Sequence, residues 1–266
     1  MPLTLPSHAA ALLPIHRLFP RICHPTALVA GCCAPDLAYL FGISGRDSHS
    51  LTGAILFCLP ISALAFIWAE FLVLPFFRAT LPAVLGVDWP RLLTTRGLPF
   101  GLAGVFLLIV PSLLGTGTHL LWDGLTHDRL WPACVLYPDV TFDFFGKVTE
   151  FDRALWWLST VGGAVIVFAW ALIRFKGPVR AEGGEVKWLA TVLLLPISAF
   201  ALYLFNPRGN GSDYANTWIS LVTTARVCAA MLTVLCLVHR MSRPSQWKKA
   251  FALPPEEHTG KRGSGP

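Results

Sequence analysis

The chain has 266 residues, of which 54% are hydrophobic and only 14% charged, with a formal net charge of +6. So much apolar surface excludes a disordered chain, which needs low hydrophobicity and high charge. So few charges argue against an ordinary soluble enzyme, whose surface carries about 25% charged residues. An all-α, polytopic integral membrane bundle is expected, with about five transmembrane helices and an N-terminal helical segment.

The first element is a short amphipathic helix over Ser7–Phe19. It does not read as a signal peptide, because Pro2, Pro6 and Pro14 interrupt the run and the first charge is Arg17. Thr26–Ile43 follows, short for a span and containing Pro35 and Asp36; it either crosses or tucks in as a re-entrant helix. A span needs about 20 mostly apolar residues. Five stretches qualify: Leu51–Phe77, interrupted by Pro60, Glu70 and Pro75; then Leu98–Leu121, Ala154–Phe175, Val186–Phe205 and Ala215–His239. Residues 1–240 form a single membrane domain on this reading, and 241–266 a basic, disordered cytoplasmic tail.

If the five spans alternate, Arg78, Arg91, Arg96, Arg174, Lys176, Arg180, Lys187 and the basic tail share one side. The positive-inside bias then puts the C-terminus in the cytoplasm of a bacterial inner membrane. Trp89, Trp131, Trp156, Trp157, Trp188 and Trp218 fall near span ends, as an interfacial belt requires. The basic residues are thereby explained without nucleic acid. The seven cysteines are odd in number and form no C-x-x-C pair, so neither a disulfide framework nor a cysteine-based zinc site is expected.

The chemistry concentrates in four short motifs. His119-Leu-Leu-Trp-Asp123-Gly-Leu-Thr-His127 places three ionisable groups four residues apart, hence on one helical face. His119 and Asp123, one turn apart, can share an ion. His127 is about 12 Å from His119 along the axis at 1.5 Å per residue. It therefore serves a second ion or supports the first, unless the helix ends near Gly124. Asp47-Ser48-His49-Ser50 supplies an N-cap in Asp47 or Ser48, and a neutral imidazole in His49 at the positive end of the helix dipole. Asp36 in Ala34-Pro35-Asp36 is a carboxylate in an apolar stretch, costly unless paired or coordinated. The first two spans form a hairpin that returns His119 and Asp123 to the side of His49, with Asp36 thirteen residues before it. Two imidazoles and two carboxylates suit Zn²⁺, and also Mn²⁺ or Fe²⁺. His8 joins them only if Thr26–Ile43 does not fully cross. His16, His24, His239 and His258 have no partners at ligand spacing and are expected to be interfacial or solvated. Neither G-x-x-x-x-G-K-[ST] nor G-x-S-x-G occurs.

Taken together, Pro6-Ser7-His8, Ala34-Pro35-Asp36, Ser48-His49-Ser50 and the run from His119 to His127 resemble a family of uncharacterised bacterial integral membrane proteins, known as a domain of unknown function. The resemblance covers about residues 1–240. That family is distantly similar to membrane-bound predicted metal-dependent hydrolases, and its ligand order is similar to that of the helical zinc-dependent phospholipase C group. The resemblance implies His8, Asp36, His49, His119 and Asp123 as metal ligands; the further His and Glu ligands of the phospholipase group have no match here. The expected function is a metal-dependent hydrolase acting on a lipid-like or envelope ester or phosphoester through a metal-activated water. The rival is a non-enzymatic scaffold or transporter with a structural His/Asp cluster.

Overall fold

The computed structural model describes residues 5–81, 86–93, 95, 97–99, 101–127, 130–138, 140–144, 147–177 and 214–251. The expected span Val186–Phe205 lies outside the described residues.

The architecture is an all-α bundle. Helix α1 (Leu5–Leu18) and α2 (Pro25–Leu37) form an antiparallel hairpin, and a 3-10 turn, Ala38–Phe41, continues α2 to Gly42. A short α3 (Gly45–Ser48) leads into the first long helix, α4 (Leu51–Thr80). After α5 (Trp89–Leu92) come α6 (Leu102–Thr126) and α7 (Ala133–Leu136). Strands β1 (Thr141–Phe144) and β2 (Lys147–Glu150) pair antiparallel, with Thr141 opposite Glu150, and are the only strands among the described residues. The bundle closes with α8 (Phe151–Arg174), α9 (Tyr214–Ser242) and α10 (Pro244–Phe251).

Four described helices are long and apolar enough to cross a membrane: α4, α6, α8 and the Val222–Ser242 part of α9. Their side chains are arranged as lipid would require. Ile55, Leu56, Leu64, Ile67 and Phe71 of α4 are exposed, whereas Ser62, Glu70, Ser112, Thr116, His119 and Asp123 are buried. In water such an apolar exterior would be an aggregation liability. Against hydrocarbon it costs nothing, and polar groups turn inward to find partners.

The α2–α6 seam sets the register of the site. A Cβ on Gly31 would lie 2.0 Å from the Ser112 carbonyl oxygen, and one on Gly115 2.1 Å from that of Leu28. Only glycine permits this approach, the small-residue packing typical of helices in lipid. Ser112 Oγ donates to the Ala27 carbonyl at 3.3 Å and Thr116 Oγ1 to the Gly31 carbonyl at 2.9 Å, fixing the axial alignment. On its other side α2 packs against α4: Ala34 and Ala38 against Cys58 and Ile61, Ala27 and Ala30 against Phe66. Deeper in that seam, Thr26 Oγ1 donates to the buried Glu70 carboxyl, where α4 widens into a π-helical turn at Ala69–Val73.

Three expectations are corrected. Residues 244–251, expected in a disordered tail, are helical: Pro244 starts α10, and Trp247 is buried with Phe76 and Cys236. His239, expected to be interfacial, is buried, and its Nδ1 accepts from Trp247 Nε1 at 2.9 Å. His24 is likewise buried, with Nε2 3.0 Å from the Gly97 carbonyl.

Candidate metal centre

Four separate segments deliver the candidate side chains to one end of the bundle. The α1–α2 hairpin returns on itself, so His8 near its start and Asp36 near its finish share that end. Of the two fates open to Thr26–Ile43, the hairpin therefore matches the one that brings His8 within reach. His49 is the C-cap of α3, and Gly53 holds that turn against α4: a Cβ there would meet the Asp47 carbonyl oxygen at 1.8 Å. The caps differ from expectation. Ser44 caps α3 and Ser50 caps α4, accepting from Gly53 N at 2.8 Å, while Ser48 turns inward. His119 and Asp123 lie one turn apart on α6.

Three atoms form the heart of the cluster. His49 Nε2 and His119 Nε2 are 3.3 Å apart, and Asp123 Oδ2 is 3.3 Å from each. An equilateral triangle of that edge is one face of a tetrahedron whose centre lies about 2.0 Å from each corner, the zinc–nitrogen and zinc–carboxylate bond length. Asp36 Oδ1 stands farther off, 3.8 Å from His49 Nε2 and 4.0 Å from His119 Nε2.

The outer ring nitrogens fix the tautomers. His119 Nδ1 is 2.7 Å from the Cys32 carbonyl and His49 Nδ1 is 3.1 Å from that of Gly45. A carbonyl only accepts, so each Nδ1 carries a proton and each ring turns its Nε2 to the centre. Ser48 Oγ, 2.9 Å from His49 Nδ1, adds a second support. Such backing of the distal nitrogen is how histidine ligands are oriented on metals. Two Nε2 atoms 3.3 Å apart need either a proton or a cation between them.

His8 stacks on His119 with centroids 4.0 Å apart and an interplanar angle of 10°, and its Nε2 lies 3.5 Å from Asp123 Oδ1. Burial lowers its pKa against the opposing pull of Asp123, keeping the ring neutral. His127, just past the end of α6, has Nδ1 3.1 Å from the Asp123 carbonyl and 4.0 Å from Asp123 Oδ1. It is a backbone cap at the margin of the cluster rather than a member of the triangle.

All six sequence-derived candidates thus converge. The residue that the sequence reading passed over is Cys32, whose Sγ lies within 4.8 Å of ligand atoms of His8 and His119. Its signal was its position one helical turn before Asp36, hidden because neighbouring cysteines in apolar runs read as packing. A small cavity of about 20 Å³ opens beside His8, Cys32, Asp36 and His119.

Fold and cluster define a class: a bundle of helices fit to cross a membrane, with a buried imidazole–carboxylate centre assembled at one end. Within it, the chain belongs to the family described as a domain of unknown function (DUF4184), whose model matches residues 1–241. No curated protein and no solved structure matches the chain.

Proposed function

We propose that this protein is a membrane-embedded metal-dependent hydrolase with a divalent cation, zinc first and Mn²⁺ or Fe²⁺ as alternatives, seated on Asp123, His49 and His119. The observation that carries the reading is the 3.3 Å triangle of two imidazole nitrogens and one carboxylate oxygen. Three protein ligands leave a fourth position for water, the pattern of catalytic rather than structural zinc. A divalent ion held by these residues would supply a water acidic enough to act as a nucleophile near neutral pH. Asp36, displaced from the triangle, would accept the proton of that water. The backing carbonyls hold the two central rings still.

The location of the cluster at one end of a bundle of apolar helices favours a lipid-like or envelope ester or phosphoester. The positive-inside bias orients that end outward from a bacterial inner membrane, with the C-terminus cytoplasmic. The rival reading, a scaffold with a structural ion, requires Asp36 to close the shell. Its longer distances weigh against that. Transport is weaker still. Buried Glu70 is tied to Thr26, exposed Arg226 is tied to the Tyr39 and Leu40 carbonyls, and no ionisable row crosses the described residues.

Metal analysis of the full-length protein in detergent tests the proposal. Retention of zinc by the wild type, its loss in Asp123→Ala and His119→Ala, and metal-dependent hydrolysis of chromogenic esters or phosphodiesters are expected. Folded protein that takes up no divalent ion would end it; an ion bound without hydrolysis, its shell closed by Asp36, would favour the scaffold.

A further inference from the structure

The carboxylate of Asp123 has two oxygens, and the triangle uses only Oδ2. Oδ1 faces the other way, toward His8 Nε2 at 3.5 Å. Two ligand atoms each about 2.0–2.1 Å from a shared ion stand that far apart at an angle near tetrahedral. His8 is buried, 3% exposed, and neither of its ring nitrogens makes a hydrogen bond. A buried polar ring left so calls for an explanation such as an ion or a water. The Cys32 sulfur lies within 4.8 Å of a His8 ring nitrogen. The cavity beside His8 and Cys32, about 20 Å³, holds one water-sized body and little more. A ring nitrogen of His119 lies within 4.8 Å of the same two ligand atoms, and that ring is shared with the triangle.

We infer a second cation position on the His8 side of the centre, held by His8, Asp123 Oδ1 and Cys32, with the Asp123 carboxylate bridging two ions. The inference rests on the hydrolase reading of the first position and deepens it. The thiol gives up its proton to solvent as the ion binds, as thiol ligands do. A sulfur ligand makes this position the softer of the two, selective for Zn²⁺ or Co²⁺ over Mg²⁺ or Mn²⁺. Paired ions bridged by a carboxylate clamp the attacking and the leaving oxygen of an in-line displacement. The substrate class narrows accordingly to phosphoesters.

The test is metal stoichiometry and the cobalt spectrum of the full-length protein in detergent. The wild type is expected to hold two ions per chain, and the Co²⁺ form to show a thiolate-to-cobalt charge-transfer band. His8→Ala is expected to hold one. Cys32→Ser is expected to lose the band while keeping the first ion, and so decides the matter even if the His8 variant fails to fold. One ion per wild-type chain with no sulfur band would overturn the second position and leave the first standing. A band that survives Cys32→Ser, or two ions retained in a folded His8→Ala, would also overturn it. No ion at all would remove both readings.

Discussion

At the residue scale, the centre works because each imidazole is committed before any ion arrives. The carbonyls of Cys32 and Gly45 take the Nδ1 protons of His119 and His49. They leave Nε2 of each ring turned to the centre. Support of this kind is worth about 10–100-fold in metal affinity. Ser48→Ala removes the hydroxyl beside His49 Nδ1 but not the Gly45 carbonyl. Zinc affinity is therefore expected to fall toward the low end of that range with helix content unchanged, as read by competition with a chelator. His8 adds a pH dependence. Burial lowers its pKa below the ordinary histidine value of 6.5, so the unfolded chain takes up a proton first as pH falls. The stability from burying a neutral ring is present above that value and is lost as pH drops below it. Apo protein is expected to lose thermal stability between about pH 7 and 5.5, and His8→Gln to flatten that slope. Much of this was legible in the sequence, since the four-residue spacing of His119 and Asp123 fixes a shared helical face. The backing carbonyls and Cys32 were not, because they depend on which helix lies against α6.

At the element scale, the α2–α6 seam decides whether the ligands meet. The two helices touch backbone to backbone at Gly31 and Gly115, so a methyl group at Gly31 has only the Ser112 carbonyl to displace. Overpacking of this sort costs about 1–3 kcal/mol, and backbone cannot rotate aside. Gly31→Ala is expected to lower the melting temperature and to weaken zinc binding together, although residue 31 touches no ion. The α2–α4 seam makes a contrasting prediction. Thr26→Val leaves the buried Glu70 carboxyl without its donor, a loss of about 1–3 kcal/mol in stability, yet stoichiometric metal binding should survive. Thermal unfolding and metal content measured side by side separate the two seams. The sequence foretold the long helices well, because some twenty apolar residues admit few alternatives. It missed α10, whose Lys248 and Lys249 read as part of a solvated tail. The cue was Trp247, which packs over His239 and Phe76.

At the scale of the whole molecule, one arrangement explains both halves of the composition. Apolar side chains face outward along α4, α6, α8 and α9, and the few buried polar groups gather in the seams or at the centre. The centre draws on α1, α2, the α3 turn and α6, segments as far apart as residues 8 and 123, so it exists only in the assembled bundle. Its completeness depends on the α1–α2 hairpin, which brings both ends to one face; sequence alone left that choice between crossing and re-entry open. Deleting residues 1–18 is therefore expected to remove both His8 and the packing behind His119, and to weaken first-site zinc binding in competition with a chelator. X-ray absorption at the zinc edge of the purified protein tests the central claim most directly. In His8→Ala, which holds the first ion alone, the account predicts scattering from two imidazoles with light-atom distances of about 2.0–2.1 Å, one imidazole vanishing when His119→Ala is added. A shell without imidazole scattering, or one that the substitution leaves unchanged, would contradict it.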